Sequence, residues 1–141
     1  MISLFLAGCL AGFGGDPQEL ILAVKFTGPR GLIESPLVRD VDRTECSINM
    51  SHDKRDWVLK LTPRVDGDGT VSITYAFLQT GGILVAPKRI PPGLSGAFRV
   101  TEGKQMLLYI RTSDLTFLRH PKKLQDGDLS LSIVASVVKP D

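Results

Sequence analysis

The chain has 141 residues, 43% of them hydrophobic and 23% charged, with a formal net charge of +2. Ordinary apolar content with balanced charge excludes disorder for most of it, and a chain of this size can build a core without disulfide or metal staples. Glycine (14) and proline (9) are frequent and alanine (seven) is scarce, which favours short strands joined by turns over a helical bundle.

Met1 to Phe13 is apolar or small throughout and ends at Gly14-Gly15-Asp16-Pro17. It is too short to span a bilayer as a helix, which needs about 20 residues. Its length suits the apolar part of a signal peptide, although no Lys or Arg precedes it. Leu6-Ala7-Gly8-Cys9 resembles the lipobox of bacterial lipoproteins. That resemblance implies cleavage before Cys9 and lipidation of its thiol. The missing basic region and the short apolar run before Ala7 depart from the family, as a start site placed too late would. Residues 1–15 are thus read as a truncated signal and lipobox segment, and 16–141 as a single β-domain. The alternative makes the segment structural, a buried first strand or ordered tail, and the protein cytoplasmic.

Glu19 to Thr27 is strand-length, rich in Ile, Val and Phe, and stopped by Gly28-Pro29. Arg43 to Met50 alternates, with Thr44, Cys46, Ile48 and Met50 on one side. Cys46 is expected as a buried free thiol, with a bridge to Cys9 as the alternative if Cys9 is not acylated. The polar tract Ser51 to Asp56 reads as a turn, and Trp57, Leu59 and Leu61 mark a further strand. Asp66-Gly67-Asp68-Gly69 signals a hairpin, because glycine supplies the positive φ of tight turns. Val71, Ile73, Tyr75 and Phe77 then give the clearest alternation in the chain.

Ala97 to Val100, a turn at Thr101–Lys104, Gln105 to Thr112, a turn at Asp126–Asp128 and Leu129 to Val138 repeat that plan. The fold expected is therefore all-β, an antiparallel β-sandwich built from two similar three-strand meanders. Residues 81–92 would be the crossover between them.

Residues 35–78 also resemble part of the secretin family, the outer-membrane channels of bacterial secretion systems and type IV pili. The resemblance is carried by Ser35-Pro36, by Thr44-Glu45-Cys46-Ser47-Ile48 and above all by the hairpin VLKLTPRVDGDGTVSITYAFL. Its most specific part is Thr62-Pro63 to Asp68-Gly69. The chain departs from secretins in having only Ser51 to Asp56 where they have long membrane-touching hairpins, and in lacking their ring-forming domains. What the resemblance implies is a small β-module that pairs with a partner through an edge strand.

Chemistry-bearing patterns are few. His52 and His120 sit in loops outside any metal-ligand spacing. No nucleophile elbow, Walker loop or dinucleotide fingerprint occurs. Asp66 and Asp68 are the weak candidates for a cation, but an EF-hand would need Gly and Glu where Val71 and Phe77 stand. Asn49-Met50-Ser51 fits a glycosylation sequon, which matters only in a eukaryotic secretory route. Trp57 and Tyr75 are candidates for an exposed ligand or partner face, with core packing as the alternative. No run of basic residues exceeds two, which argues against nucleic acid.

The function expected is a non-enzymatic envelope lipoprotein without cofactor, anchored to a membrane through Cys9. It would bind other envelope proteins, with secretion or pilus assembly as the process that the secretin resemblance implies. The alternative is a soluble carbohydrate- or small-ligand-binding sandwich.

Overall fold

The computed structural model describes residues 2–4, 18–52, 54–82 and 93–139, the first of these for their backbone alone. Eleven strands form two sheets and no helix is present among these residues. They are β1 (Ile2–Leu4), β2 (Glu19–Gly28), β3 (Gly31–Glu34), β4 (Leu37–Val41), β5 (Cys46–His52) and β6 (Arg55–Val65). β7 (Thr70–Gly82), β8 (Gly93–Thr101), β9 (Gln105–Arg111), β10 (Thr116–Leu118) and β11 (Asp128–Val137) follow. The smaller sheet runs β5-β6-β7-β8 in chain order. The larger runs β1-β4-β2-β11-β9-β10, with β3 also on β2. Every pairing is antiparallel except β1 with β4. The architecture is an antiparallel β-sandwich.

Period-two alternation decides which side of each strand is buried. Leu20, Leu22, Val24 and Phe26 of β2 face Leu59, Leu61, Ile73 and Phe77 of the other sheet within one apolar core. Leu129, Leu131 and Ile133 of β11, which is flanked by β2 and β9, complete its middle. β5 is shorter than β6, so Pro63 lies beyond its end. There the absent proline N–H leaves no ladder bond unmade, and the Pro63 carbonyl accepts instead from the Arg43 N–H at 2.7 Å.

The two sheets are not copies of one meander. β8 pairs with β7 from Thr70↔Thr101 to Leu78↔Gly93, so the smaller sheet has four strands. Residues 83–92 accordingly join two neighbours of one sheet rather than crossing between sheets. The crossing is made by Thr101–Lys104, which sequence reads as a hairpin turn. The Glu102 N–H donates to the Gly69 carbonyl at 2.9 Å, and the Gly103 N–H to Ala135 on the other sheet at 2.9 Å. Local turn chemistry is the same in both cases, so only the pairing partners separate them. The expected six-residue turn at 51–56 is also shorter. Ser51 pairs with Asp56 and His52 with Arg55, so the ladder closes well inside that tract, and Lys54 takes φ of 60° just before β6.

β8 carries glycine where the neighbouring strand needs room. A Cβ on Gly96 would lie 2.6 Å from the Tyr75 hydroxyl and 2.9 Å from its Cζ. The Tyr75 ring is held by Phe98 and Phe117, at centroid distances of 6.0 and 6.4 Å, and has little freedom to retreat. Gly96→Ala is therefore expected to destabilise by about 1–3 kcal/mol as an overpacking change. A urea titration checks it, and an unchanged midpoint would show that the ring yields.

Candidate functional site

Cys9 lies outside the described residues. Trp57 and Tyr75 do not form a surface face. Trp57 is 0% exposed and stacks on Phe77 with ring centroids 4.8 Å apart and planes 8° from parallel. Its indole N–H donates to the His52 carbonyl at 3.2 Å. Tyr75 is buried against Phe98 and Phe117, and burial pushes its phenol pKa up. Both side chains lie on the inner sides of β6 and β7, where the period shared with Leu59 and Leu61, and with Ile73 and Phe77, puts them. A sugar-stacking platform built on them is excluded by their burial.

Asp66 and Asp68 are engaged within the β6–β7 hairpin. Asp66 accepts from Ser72 Oγ at 2.7 Å, Arg64 Nε at 3.0 Å, Arg99 Nε at 3.2 Å and Thr70 Oγ1 at 3.2 Å. The Ser72 hydroxyl, with both guanidiniums and Thr70, holds its carboxyl well below the usual range, against the opposing effect of burial. Asp68 accepts from the Thr70 hydroxyl and from the Thr70 N–H at 3.1 Å, which lowers its pKa too. These bonds close a turn in which Gly67 and Gly69 take φ of 84° and 86°. Among the described residues, no group of three or more His, Cys, Asp or Glu side chains stands close enough to hold a metal ion.

Cys46 is a free, buried thiol, as its place in the alternating run implies. It faces Asp40, a carboxyl on the inner side of β4, so the pair joins the two sheets. Burial pushes the thiol up, and the Asp40 charge and hydrogen bond push it further. That is the reverse of an activated nucleophile. Asp40 Oδ1 accepts from the Val41 N–H at 2.8 Å, and Oδ2 is buried without a hydrogen-bond partner. Burial accordingly raises this carboxyl.

Among the open depressions formed by the described residues, two bear on binding. One, of about 480 Å³, lies at the β2–β3 hairpin, where exposed Leu32 and Ile33 meet Lys54 and Asp126. His52 lines it, and its Nε2 is buried without a partner among the described residues. His120 is elsewhere, its ring edge-on to Tyr109 at 6.4 Å. The other, of about 490 Å³, lies on the outer side of the smaller sheet and is lined by Arg43, Arg64 and Arg99. Sequence reading did not single out these arginines. Arg64 and Arg99 come together because β6 and β8 both pair with Ser72 of β7. No local signal carries that register.

The sheet edges are the remaining feature. β4 is bordered by β2 on one side and by the short parallel β1 on the other, with Ile2↔Leu37, Ser3↔Val38 and Leu4↔Arg39 in register. Exposed aliphatic side chains gather nearby: Ile21 on β2, Leu32 and Ile33 on β3, and Leu37 on β4. Among the described residues, no helix is long and apolar enough to cross a membrane. No protein-family model, curated protein or solved structure matches the chain.

Proposed function

We propose that the protein is a non-enzymatic binding module of the bacterial cell envelope. It is tethered through a lipidated Cys9 and contacts a partner protein along the outer edge of β4. The observation that carries this reading is the β1–β4 pairing, in which the β4 edge already takes an extended strand. Cleavage before Cys9 removes Ile2–Leu4 and leaves that edge open in the mature chain. An open edge presents unpaired N–H and C=O groups, which a partner strand satisfies by adding to the sheet. Ile21 and Leu37 supply apolar area beside it. Secretion or pilus machinery is the partner class implied by the resemblance of residues 35–78.

A Cys carrying several acyl chains holds a protein firmly to a membrane, where one chain alone binds reversibly. Cys9→Ser, expressed with its authentic upstream sequence, is therefore expected to move from the membrane fraction to the soluble one and to lose labelling by a fatty-acid probe. Unchanged partitioning would overturn the anchor. The same β1 supports a second reading, in which residues 1–8 are retained, β1 closes the sheet edge and the protein is unanchored. Wild-type protein that is soluble and unlabelled would favour that one.

A further inference from the structure

We propose that the arginine-lined groove on the outer side of the smaller sheet is a carboxylate-binding surface that receives an extended acidic segment of a partner protein. This rests on the reading of the chain as a protein-binding module, but not on the lipid anchor or the β4 edge. The two tests therefore fail independently.

The groove is built by register. Arg64, Ser72 and Arg99 stand in one row across β6, β7 and β8, and Thr62, Thr74 and Ala97 in the next row of the same side. Arg43 enters from the β4–β5 connection, which is pinned over β6 by two bonds. The Arg43 N–H donates to the Pro63 carbonyl at 2.7 Å, and Asp42 Oδ1 accepts from the Val65 N–H at 2.7 Å. Arg43 holds φ of 65°, a conformation uncommon for residues other than glycine. Backbone strain of this kind persists where its surroundings enforce it, and it gathers at binding sites.

Charge and exposure then separate. Asp66 lies under the groove with its side chain 6% exposed, whereas those of Arg64, Arg99 and Arg43 are 56%, 60% and 75% exposed. Asp66 binds Arg64 and Arg99 through their Nε atoms, so the terminal amino groups of Arg99 remain for another acceptor. An incoming solute meets three guanidinium groups and a hydroxyl floor, and no carboxylate lines the surface. Guanidinium forks match carboxylates in paired hydrogen bonds.

The sheet edge argues for a peptide. β8 is the last strand of its sheet, and among the described residues nothing pairs with its outer side. A strand added there projects alternate side chains beside Arg99 and Ala97, where acidic ones make opposite-charge cross-strand pairs. A glycan is the weaker fit, because Phe98, which borders the groove, packs its ring against Tyr75 beside the core instead of standing free as a stacking platform.

The test is fluorescence anisotropy of a labelled hexaglutamate peptide titrated with the full chain. Hexalysine and oligogalacturonate serve as comparison probes. Saturable binding of hexaglutamate is expected at low salt and should weaken as salt screens exposed charges. Arg64→Gln with Arg99→Gln should weaken it by about tenfold or more, and exposed Arg43→Gln by about threefold to fivefold, with folding unaffected. Asp66→Asn separates orientation from bulk charge. It removes a negative charge, yet binding should fall, because the two guanidiniums lose the acceptor that aims them. Should that variant not fold, Arg43→Gln carries the test. Several results would overturn the proposal: no saturable binding of hexaglutamate up to about 1 mM, binding indifferent to the arginines, or tighter binding by Asp66→Asn. Preference for oligogalacturonate on the same arginines would make this a glycan groove and overturn the peptide.

Discussion

Trp57→Ala is expected to lower the unfolding free energy by about 3–5 kcal/mol, the range for removing a large aromatic from a packed core. Three features place it there. The side chain is 0% exposed, so its whole apolar surface is withdrawn from water in the folded state. It stacks on Phe77 across the β6–β7 ladder, an aromatic contact worth about 0.5–1.5 kcal/mol beyond burial. Its indole N–H also satisfies the His52 carbonyl, next to the β5–β6 turn. Domains are commonly stable by only about 5–15 kcal/mol, so the substitution consumes a large part of the margin. Trp57→Phe keeps the stack but loses the hydrogen bond and leaves a cavity, and should fall between the two. Urea denaturation followed by far-UV circular dichroism gives both values, since the variants lack the tryptophan signal. In the wild type, emission from Trp57 should be blue-shifted and indifferent to glycans. A cost below about 1 kcal/mol for the alanine variant would contradict the packing.

What sequence reveals and conceals here follows from how each strand uses its alternation. β2, β6, β7 and β11 bury every second residue with aliphatic or aromatic side chains, so their period is visible without coordinates. β4 also alternates, but the residues it turns inward are Val38 and Asp40. A charge on the core side cancels the pattern, and the strand passes for a loop. β3 and β4 are also interrupted at Ser35-Pro36, although both pair with β2. The Asp66–Gly69 turn was readable because two glycines must take positive φ. Which sheet β8 joins was not, since Thr101–Lys104 has the same turn chemistry whether it folds a hairpin or links two sheets. The arginine groove lies at the same depth. It depends on Ser72 pairing with both Arg64 and Arg99, and on the left-handed backbone of Arg43. Trp57 and Tyr75 stand on strands, as their alternation implies, but their chemistry as rings does not decide their exposure; their side of the alternation does.

Asp128→Asn is expected to cost about 2 kcal/mol at neutral pH, as hydrogen bonds to a charged group are lost. The gap to wild type should then narrow in acid. Asp128 is fully buried at the start of β11, directly opposite Arg111 on β9. Its Oδ1 accepts from Arg111 Nε at 3.1 Å, and its Oδ2 from the Gln125 N–H at 2.9 Å and from Arg111 Nη2 at 3.5 Å. Both oxygens therefore face donors, and an asparagine must turn its amide nitrogen toward one of them. Burial pushes the Asp128 carboxyl up, but the Arg111 bond, the Gln125 N–H and the Arg111 charge outweigh it and leave the pKa below the usual value. A carboxyl whose folded pKa is depressed contributes stability that is present above the unfolded value of about 3.9 and is lost as pH falls through the folded one. Asp66 and Asp68 are lowered as well, so both proteins should weaken below about pH 4. Asp40 acts with the opposite sign. Its raised carboxyl favours the folded state when protonated and loses that contribution as pH rises through its folded pKa. The loss in acid thus belongs to the three lowered aspartates, with Asp128 the one the substitution removes. Urea midpoints of wild type and variant, measured from neutral pH down to about pH 2.5, should converge as Asp128 takes up its proton. A separation that stays constant across the range would mean that its interactions do not depend on its charge.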